Sequence, residues 1–368
     1  MKKALAIRSE ERRRTERTDA PQQRRDGAGL RTVSIDSSLR LNTVYNVDWT
    51  SLWEEVLLGS IRLFFVTDLH GSELCFRKFI SAISIYKADV AIALGDLAGK
   101  MVVPVINKGN GTYDVNFLGQ EFHPNNDSEL QKQLDKINAI GFYPYMTDRA
   151  EYEALQQKPD EVTTIFHRLI SERVQHWVEL ADEKLKDSKA KIFMAPGNDD
   201  PFEMDPILEA SKTMKSAAMK NLDVLGYEMI TLAHTSPTPW DTPREWSEEE
   251  MAINIDKLAS TIKNMEKAIF NFHDPPHGTM LDYAPKLKDN RQSAGEVEHV
   301  GSKAVLEKIK QYQPFLGLHG HIHESRAAQK IGRTFCVNPG SEYGEGILRG
   351  VILTLADTKM KSYVFTQG

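Results

Sequence analysis

The chain has 368 residues, 40% of them hydrophobic and 27% charged, with a formal net charge of −6, which is an ordinary globular composition with room for one large domain or two small ones. That acidic balance excludes the broad basic footprint of a nucleic-acid or anionic-membrane binder. Its two cysteines, Cys75 and Cys336, stand far apart in no metal-like spacing, which argues against a thiolate site or a disulfide framework and favours the reducing cytoplasm.

The chain opens "MKKALAIRSEERRR", where only Ala4 to Ile7 are apolar before charges resume, too short for the apolar core of an export signal. Residues 1–31 carry ten Lys/Arg against five acids and few large apolar side chains. They read as a disordered tail or the product of an upstream start codon; a basic arm docked on an acidic partner has only its charge behind it. The extension is taken as 1–58, with a single domain over 59–368. No run approaches the roughly 18–20 apolar residues of a membrane span, so a soluble protein with no membrane contact is expected.

From residue 61 onward, short apolar runs stop abruptly at polar clusters: "LFFVTDLH", "VAIALGD", "KIFMAPGNDD", "AIFNFHDPPH" and "FLGLHGHIH". Each reads as a strand buried on both faces, and α/β folds place ligands just past the carboxyl ends of such strands. Between them lie helical patterns, one from Asp127 through Leu130, Leu134 and Ile137 to Gly141, another from Thr164 through Leu169 and Trp177 to Leu185. The stretch 101–190 is too long for a simple crossover and is expected to be an insertion near the site, in the manner of a lid.

The strand ends deliver Asp68, His70, Asp96, Asn198, His273, His321 and His323. Two carboxylates, one amide oxygen and four imidazoles form a dinuclear metal set, with Asp96 as the natural bridge between two divalent cations. Alternate positions in "DLH" and "HIH" would place both side chains on one side of an extended segment. Gly95, Gly197 and Gly320, each just before a ligand, would permit tight turns and close approach. A lone histidine on an apolar strand is more often a core residue than a ligand; the joint order of the set overturns that reading here. His167 and His176 read as solvated, and Trp240 as a loop anchor.

In order and content these residues resemble the calcineurin-like metallophosphoesterases, whose pattern is D-x-H, G-D, G-N-H-[DE], a lone His and G-H-x-H. Here the pattern reads Asp68-Leu69-His70, Gly95-Asp96, Gly197-Asn198-Asp199-Asp200, His273 and Gly320-His321-Ile322-His323, across about residues 62–355, with an "NPGS" turn at Asn338 to Ser341. The resemblance implies a four-layer αββα sandwich with two central mixed sheets, where strand pattern alone gives only α/β. It also implies one ion on Asp68, His70, Asp96 and His323 and a second on Asp96, Asn198, His273 and His321. The expected activity is hydrolysis of phosphoesters, small phosphodiesters foremost, by in-line attack of a metal-bridging hydroxide. Hard oxygen with imidazole suits Mn, Fe, Zn, Ni or Co.

One position departs from the pattern, since Asp199 stands where the family has histidine. A carboxyl group could donate a proton to the leaving group only if its pKa were raised. His277 and His319 are the other candidates for that role, and a substrate with a good leaving group would need none. The expected partner is a small phosphoester, with oligomeric state left open. The competing reading is a non-catalytic metal- or phosphate-binding scaffold on the same fold.

Overall fold

Ile61–Thr67, with its last five residues buried, is the first strand of the described chain and the hub around which one sheet assembles. A computed structural model describes residues 59–288 and 291–368; the extension expected over 1–58 lies outside them. Strands and helices are numbered in chain order. The first sheet holds β1 (Ile61–Thr67), β2 (Val90–Leu94), β7 (Lys191–Ala195), β8 (Met214–Ser216), β17 (Arg349–Ala356) and β18 (Lys359–Gln367). Their order is β18-β17-β1-β2-β7-β8, parallel from β1 to β8 and antiparallel at the β17–β18 edge.

The second sheet repeats this plan with β9 (Asn221–Val224), β10 (Tyr227–Leu232), β11 (Ala268–Phe272), β14 (Leu316–Leu318), β15 (Ala327–Ile331) and β16 (Thr334–Asn338). Their order is β15-β16-β14-β11-β10-β9; β10, β11, β14 and β16 are parallel, and the outermost strand at each edge is antiparallel. All five apolar runs singled out in the sequence are therefore strands, at the parallel centres of the two sheets.

Side-chain alternation along these strands builds the layers. Leu63 and Phe65 of β1 point into a core shared with Met229, Ile269, Leu316 and Val337 of the second sheet. Phe64 and Val66 point the other way, onto α1 (Glu73–Ile85) and the long α4 (Pro159–Lys184), through Phe76, Phe79, Ile170, Val174 and Trp177. Ile230, Leu232 and Phe270 face α6 (Glu248–Ala259) and α7 (Lys303–Tyr312), through Met251, Ile255, Val305 and Ile309. The result is a helix–sheet–sheet–helix sandwich, an α/β fold with four layers and two mixed sheets. Each fully buried Leu, Ile or Phe stabilises it by about 1.5–3 kcal/mol relative to exposure.

The helices begin where their caps dictate. Ser72 accepts the Cys75 N–H at the start of α1, Ser302 accepts that of Val305 at the start of α7, and Ser247 with Glu250 forms a capping box on α6.

Within 101–190 the structure shows two different things. Residues 102–148 build a separate four-stranded sheet, β3 (Val102–Asn107), β4 (Tyr113–Phe117), β5 (Gln120–Phe122) and β6 (Tyr143–Asp148), ordered β5-β4-β3-β6. With α2 (Asp127–Ala139) it encloses its own small core of Val103, Val105, Val115, Leu130 and Ile137, and α3 (Arg149–Leu155) follows. In contrast, α4 is an outer-layer helix of the sandwich itself. Short α5 (Asp205–Glu209) and the hairpin of β12 (Tyr283–Lys288) and β13 (Arg291–His299) complete the chain. No helix among the described residues is long and apolar enough to cross a membrane.

Candidate metal centre

The polar clusters follow the carboxyl ends of β1, β2, β7, β11 and β14, so the first sheet contributes Asp68, His70, Asp96 and Asn198 and the second His273, His321 and His323. Ligating atoms of Asp68, His70 and His323 fall within one 4.8 Å group, as do those of Asp96, His273 and His321, and those of His70, Asp96 and Asp199. Asp96 faces both ways, with Oδ2 3.6 Å from His70 Nε2 and Oδ1 3.3 Å from His273 Nε2. Asp68 Oδ1 lies 3.4 Å from His323 Nε2 and 3.9 Å from the Nε2 atoms of His70 and His273. The Nε2 atoms of His70 and His323 are 2.9 Å apart.

The backbone at these positions corrects the rationale from alternation. Asp68, His70, Asp96 and His321 adopt φ of 55°, 41°, 42° and 65°, a left-handed region that non-glycine residues seldom occupy and that clusters at functional sites. "DLH" is a chain of tight turns rather than an extended segment, and the turns aim its side chains inward. Glycine matters here for room. A Cβ on Gly95 would sit 1.9 Å from His273 Nδ1, and one on Gly320 would sit 1.9 Å from Thr67 Oγ1 and 2.7 Å from Asp68 Oδ2.

Neighbours fix which atoms are left open. Asp68 Oδ2 accepts from Thr67 Oγ1 at 2.7 Å and from the His321 N–H at 3.0 Å, so Oδ1 is the free oxygen. Asn198 Nδ2 donates to Thr242 Oγ1 at 3.0 Å, and Thr242 Oγ1 donates to Glu245 at 2.6 Å; this orients the amide with Oδ1 unpaired. Asp200, fully buried, accepts the N–H groups of Leu97, Ala98 and Gly197 at 2.6–2.8 Å, tying the loop after β2 to the loop after β7. Thr242 carries no signature of its own in the sequence; Asp200 fills the [DE] position of the G-N-H-[DE] pattern, which does not say that it joins the two loops.

Asp68 Oδ1, Asn198 Oδ1 and both ring nitrogens of His273 are buried without a hydrogen-bond partner, and an unpaired buried polar group costs about 1–3 kcal/mol. A divalent cation held by the cluster would satisfy Asp68 Oδ1 and His273 Nε2, each of which lies against other donors there. Oxygen and imidazole donors without thiolate fit that class of ion.

The three candidates for proton donor have different fates. Asp199 lies at the cluster, with Oδ2 2.9 Å from Lys100 Nζ and 4.0 Å from His70 Nδ1. Burial works against its charge, but the Lys100 ammonium prevails and holds the carboxyl below its ordinary value; a carboxylate kept ionised does not suit a proton donor. His319 is wholly buried, and burial pushes it down to about 4. Its Nδ1–H donates to the carbonyls of Phe272 and Asp274 at 3.0 and 3.1 Å, which bracket His273. His319 thus steadies the backbone around His273 and is closed to solvent. His277 is one-third exposed and faces Asp282 at 3.7 Å, outside the three ligand groups. Lys100, absent from the candidates read in the sequence, is the residue that the folded chain adds.

No protein-family profile matches the chain. An uncharacterized protein of Methanocaldococcus jannaschii is 32% identical over 151 residues, 40% of this chain, and the chain spans 63% of that relative's length. One solved crystal structure superposes with a TM-score of 0.50 at 15% identity, covering 84% of this chain and 99% of its own. The two share a mixed α/β sandwich. Other solved structures superpose at lower scores: a novel phosphatase of Mycoplasma pneumoniae at 0.40 and 12% identity, covering 84% of this chain and 93% of its own, and a novel archaeal phosphodiesterase at 0.34 and 10%, covering 84% and 100%. In this sandwich the donor cluster sits where strand ends from both sheets converge.

Proposed function

We propose that this protein is a calcineurin-like metallophosphoesterase that hydrolyses small phosphodiesters with two divalent cations. One observation supports the reading: Asp68, His70, Asp96, His273, His321 and His323, distant in sequence, fall into close donor groups, and buried ligand-type atoms of Asp68, Asn198 and His273 are left unpaired by the protein. Asp68, His70, Asp96 and His323 would hold one ion, and Asp96, Asn198, His273 and His321 the other. Bound there, Mn, Fe, Zn, Ni or Co would supply Lewis acidity, neutralising phosphoryl charge and lowering the pKa of water.

The residues' own contributions follow from their contacts. Asp96 spans the two donor groups through separate oxygens. Thr67 and the His321 N–H restrict Asp68 to one free oxygen, and Thr242 turns the Asn198 oxygen inward. Asp199 pairs with Lys100 at the edge of the cluster. The preference for a small phosphodiester rests on the position that Asp199 takes from a proton-donating histidine, a loss easier to tolerate where attack is driven by metal ions. The names of the solved phosphatase and phosphodiesterase support the same reaction class.

Hydrolysis of a chromogenic bis-aryl phosphate with Mn²⁺ tests the reading, with Asp96→Asn and His321→Ala as controls. The wild-type rate should exceed both variants by about a hundredfold or more. Equal rates in all three would remove metal-dependent catalysis.

A further inference from the structure

Lys100 leaves β2 by way of Asp96, four residues earlier, and its side chain is 44% exposed while Nζ lies 2.9 Å from Asp199 Oδ2. Of the ion pairs among the described residues, this is the one that joins a lysine or arginine to a carboxylate of the cluster. Asp199 is itself held against the ligands, its N–H donating to Asp96 Oδ1 at 3.0 Å. The ammonium is thus anchored to the donor set, while the side chain as a whole stays partly open to solvent. A half-exposed ion pair adds little to folding, typically under about 1 kcal/mol, so stability does not account for its placement. The Tyr343 ring packs 4.5 Å from that of His70 and 5.7 Å from that of His323, and it lies near enough to Lys100 to act on its charge.

We infer that Lys100 is a substrate-contacting residue whose ammonium pairs with a phosphoryl or leaving-group oxygen of the phosphoester, held ready by Asp199. The inference rests on the phosphoesterase reading and deepens it. The lysine supplies a fixed positive charge where the sequence offers no histidine, and it stabilises negative charge developing in the transition state without transferring a proton. Asp199 keeps the flexible side chain extended across the opening, so less of its freedom is lost when substrate arrives.

The test uses the full chain loaded with Mn²⁺, with inorganic phosphate as calorimetric probe and bis-aryl phosphates as substrates, for wild type, Lys100→Met, Lys100→Arg and Asp199→Asn. Metal content by mass spectrometry should be equal in wild type and both lysine variants. Phosphate affinity and kcat/KM should fall about tenfold or more in Lys100→Met, the worth of one charge-assisted hydrogen bond, and largely recover in Lys100→Arg. Asp199→Asn should weaken phosphate binding by less than Lys100→Met does, because it loosens the anchor of the ammonium but leaves the ammonium in place. Three results would overturn the inference: Lys100→Met matching wild type within about twofold, Lys100→Met losing its metal, or Asp199→Asn weakening phosphate binding as much as Lys100→Met does. If metal-loaded wild type neither binds phosphate nor hydrolyses any ester, the phosphoesterase reading itself fails; if only the variants disagree, the role of Lys100 alone fails.

Discussion

A methyl group at Gly320 would have to occupy the space of the Thr67 hydroxyl, which in turn steers Asp68. Gly320→Ala is therefore expected to weaken Mn²⁺ binding by about tenfold or more, through displaced donors rather than a removed ligand; equilibrium dialysis checks this. Asp200 offers a second case. Asparagine there would turn an N–H₂ group towards backbone N–H donors that now meet carboxylate oxygens, so Asp200→Asn should destabilise the fold by about 1–3 kcal/mol in urea denaturation. The seven clustered donors are legible in the amino-acid sequence because their residue types and order single them out. Lys100, Thr242 and the positioning role of His319 are not, since each acquires its meaning from a neighbour distant in the chain. The alternation of "HIH" misleads for a related reason: a left-handed turn at His321 leaves no trace in side-chain pattern.

Between elements, α4 depends on one aromatic anchor. Trp177 stacks on Phe76 at 4.3 Å, 5° from parallel, and donates Nε1–H to Glu73 Oε2 at 2.8 Å. Trp177→Ala should cost about 3–5 kcal/mol, the usual penalty for a large aromatic removed from a core. Burial pushes the Glu73 carboxyl up, but the Trp177 donor together with Arg173, Arg77 and His176 outweighs it and sets the pKa below the ordinary glutamate value. A group with a depressed folded pKa stabilises above its unfolded pKa and stops doing so as pH falls through the folded one. The stability gap between wild type and Glu73→Gln should thus be full near neutral pH and close in acid below the ordinary glutamate range; a gap independent of pH would remove Glu73 from that linkage. The five central strands are readable as apolar runs that end in polar residues. The sheet over 102–148 is not, because its strands are short and carry polar residues and Pro104. Helical periodicity locates α4 but does not say which body it covers, since an apolar face does not name its partner.

At the scale of the whole molecule, two sheets of like plan meet so that their parallel strands end at one place. Cations bound there would belong to the native state alone, and ligand binding of that kind stabilises by about 2.7 kcal/mol at a hundredfold excess over Kd. Mn²⁺ should accordingly raise Tm and a chelator lower it, with the shift lost in Asp96→Asn; scanning calorimetry at fixed protein concentration measures it.

The split of donors between residues 68–198 and residues 273–323 also has a consequence during biosynthesis. A nascent chain that has emerged only as far as the first sheet presents half a claw, too few teeth to retain an ion against the cell's own chelators. On the proposed function, metal selection would then wait until the last quarter of the polypeptide has left the ribosome, when the fold, rather than the order of synthesis, would decide which ion is kept.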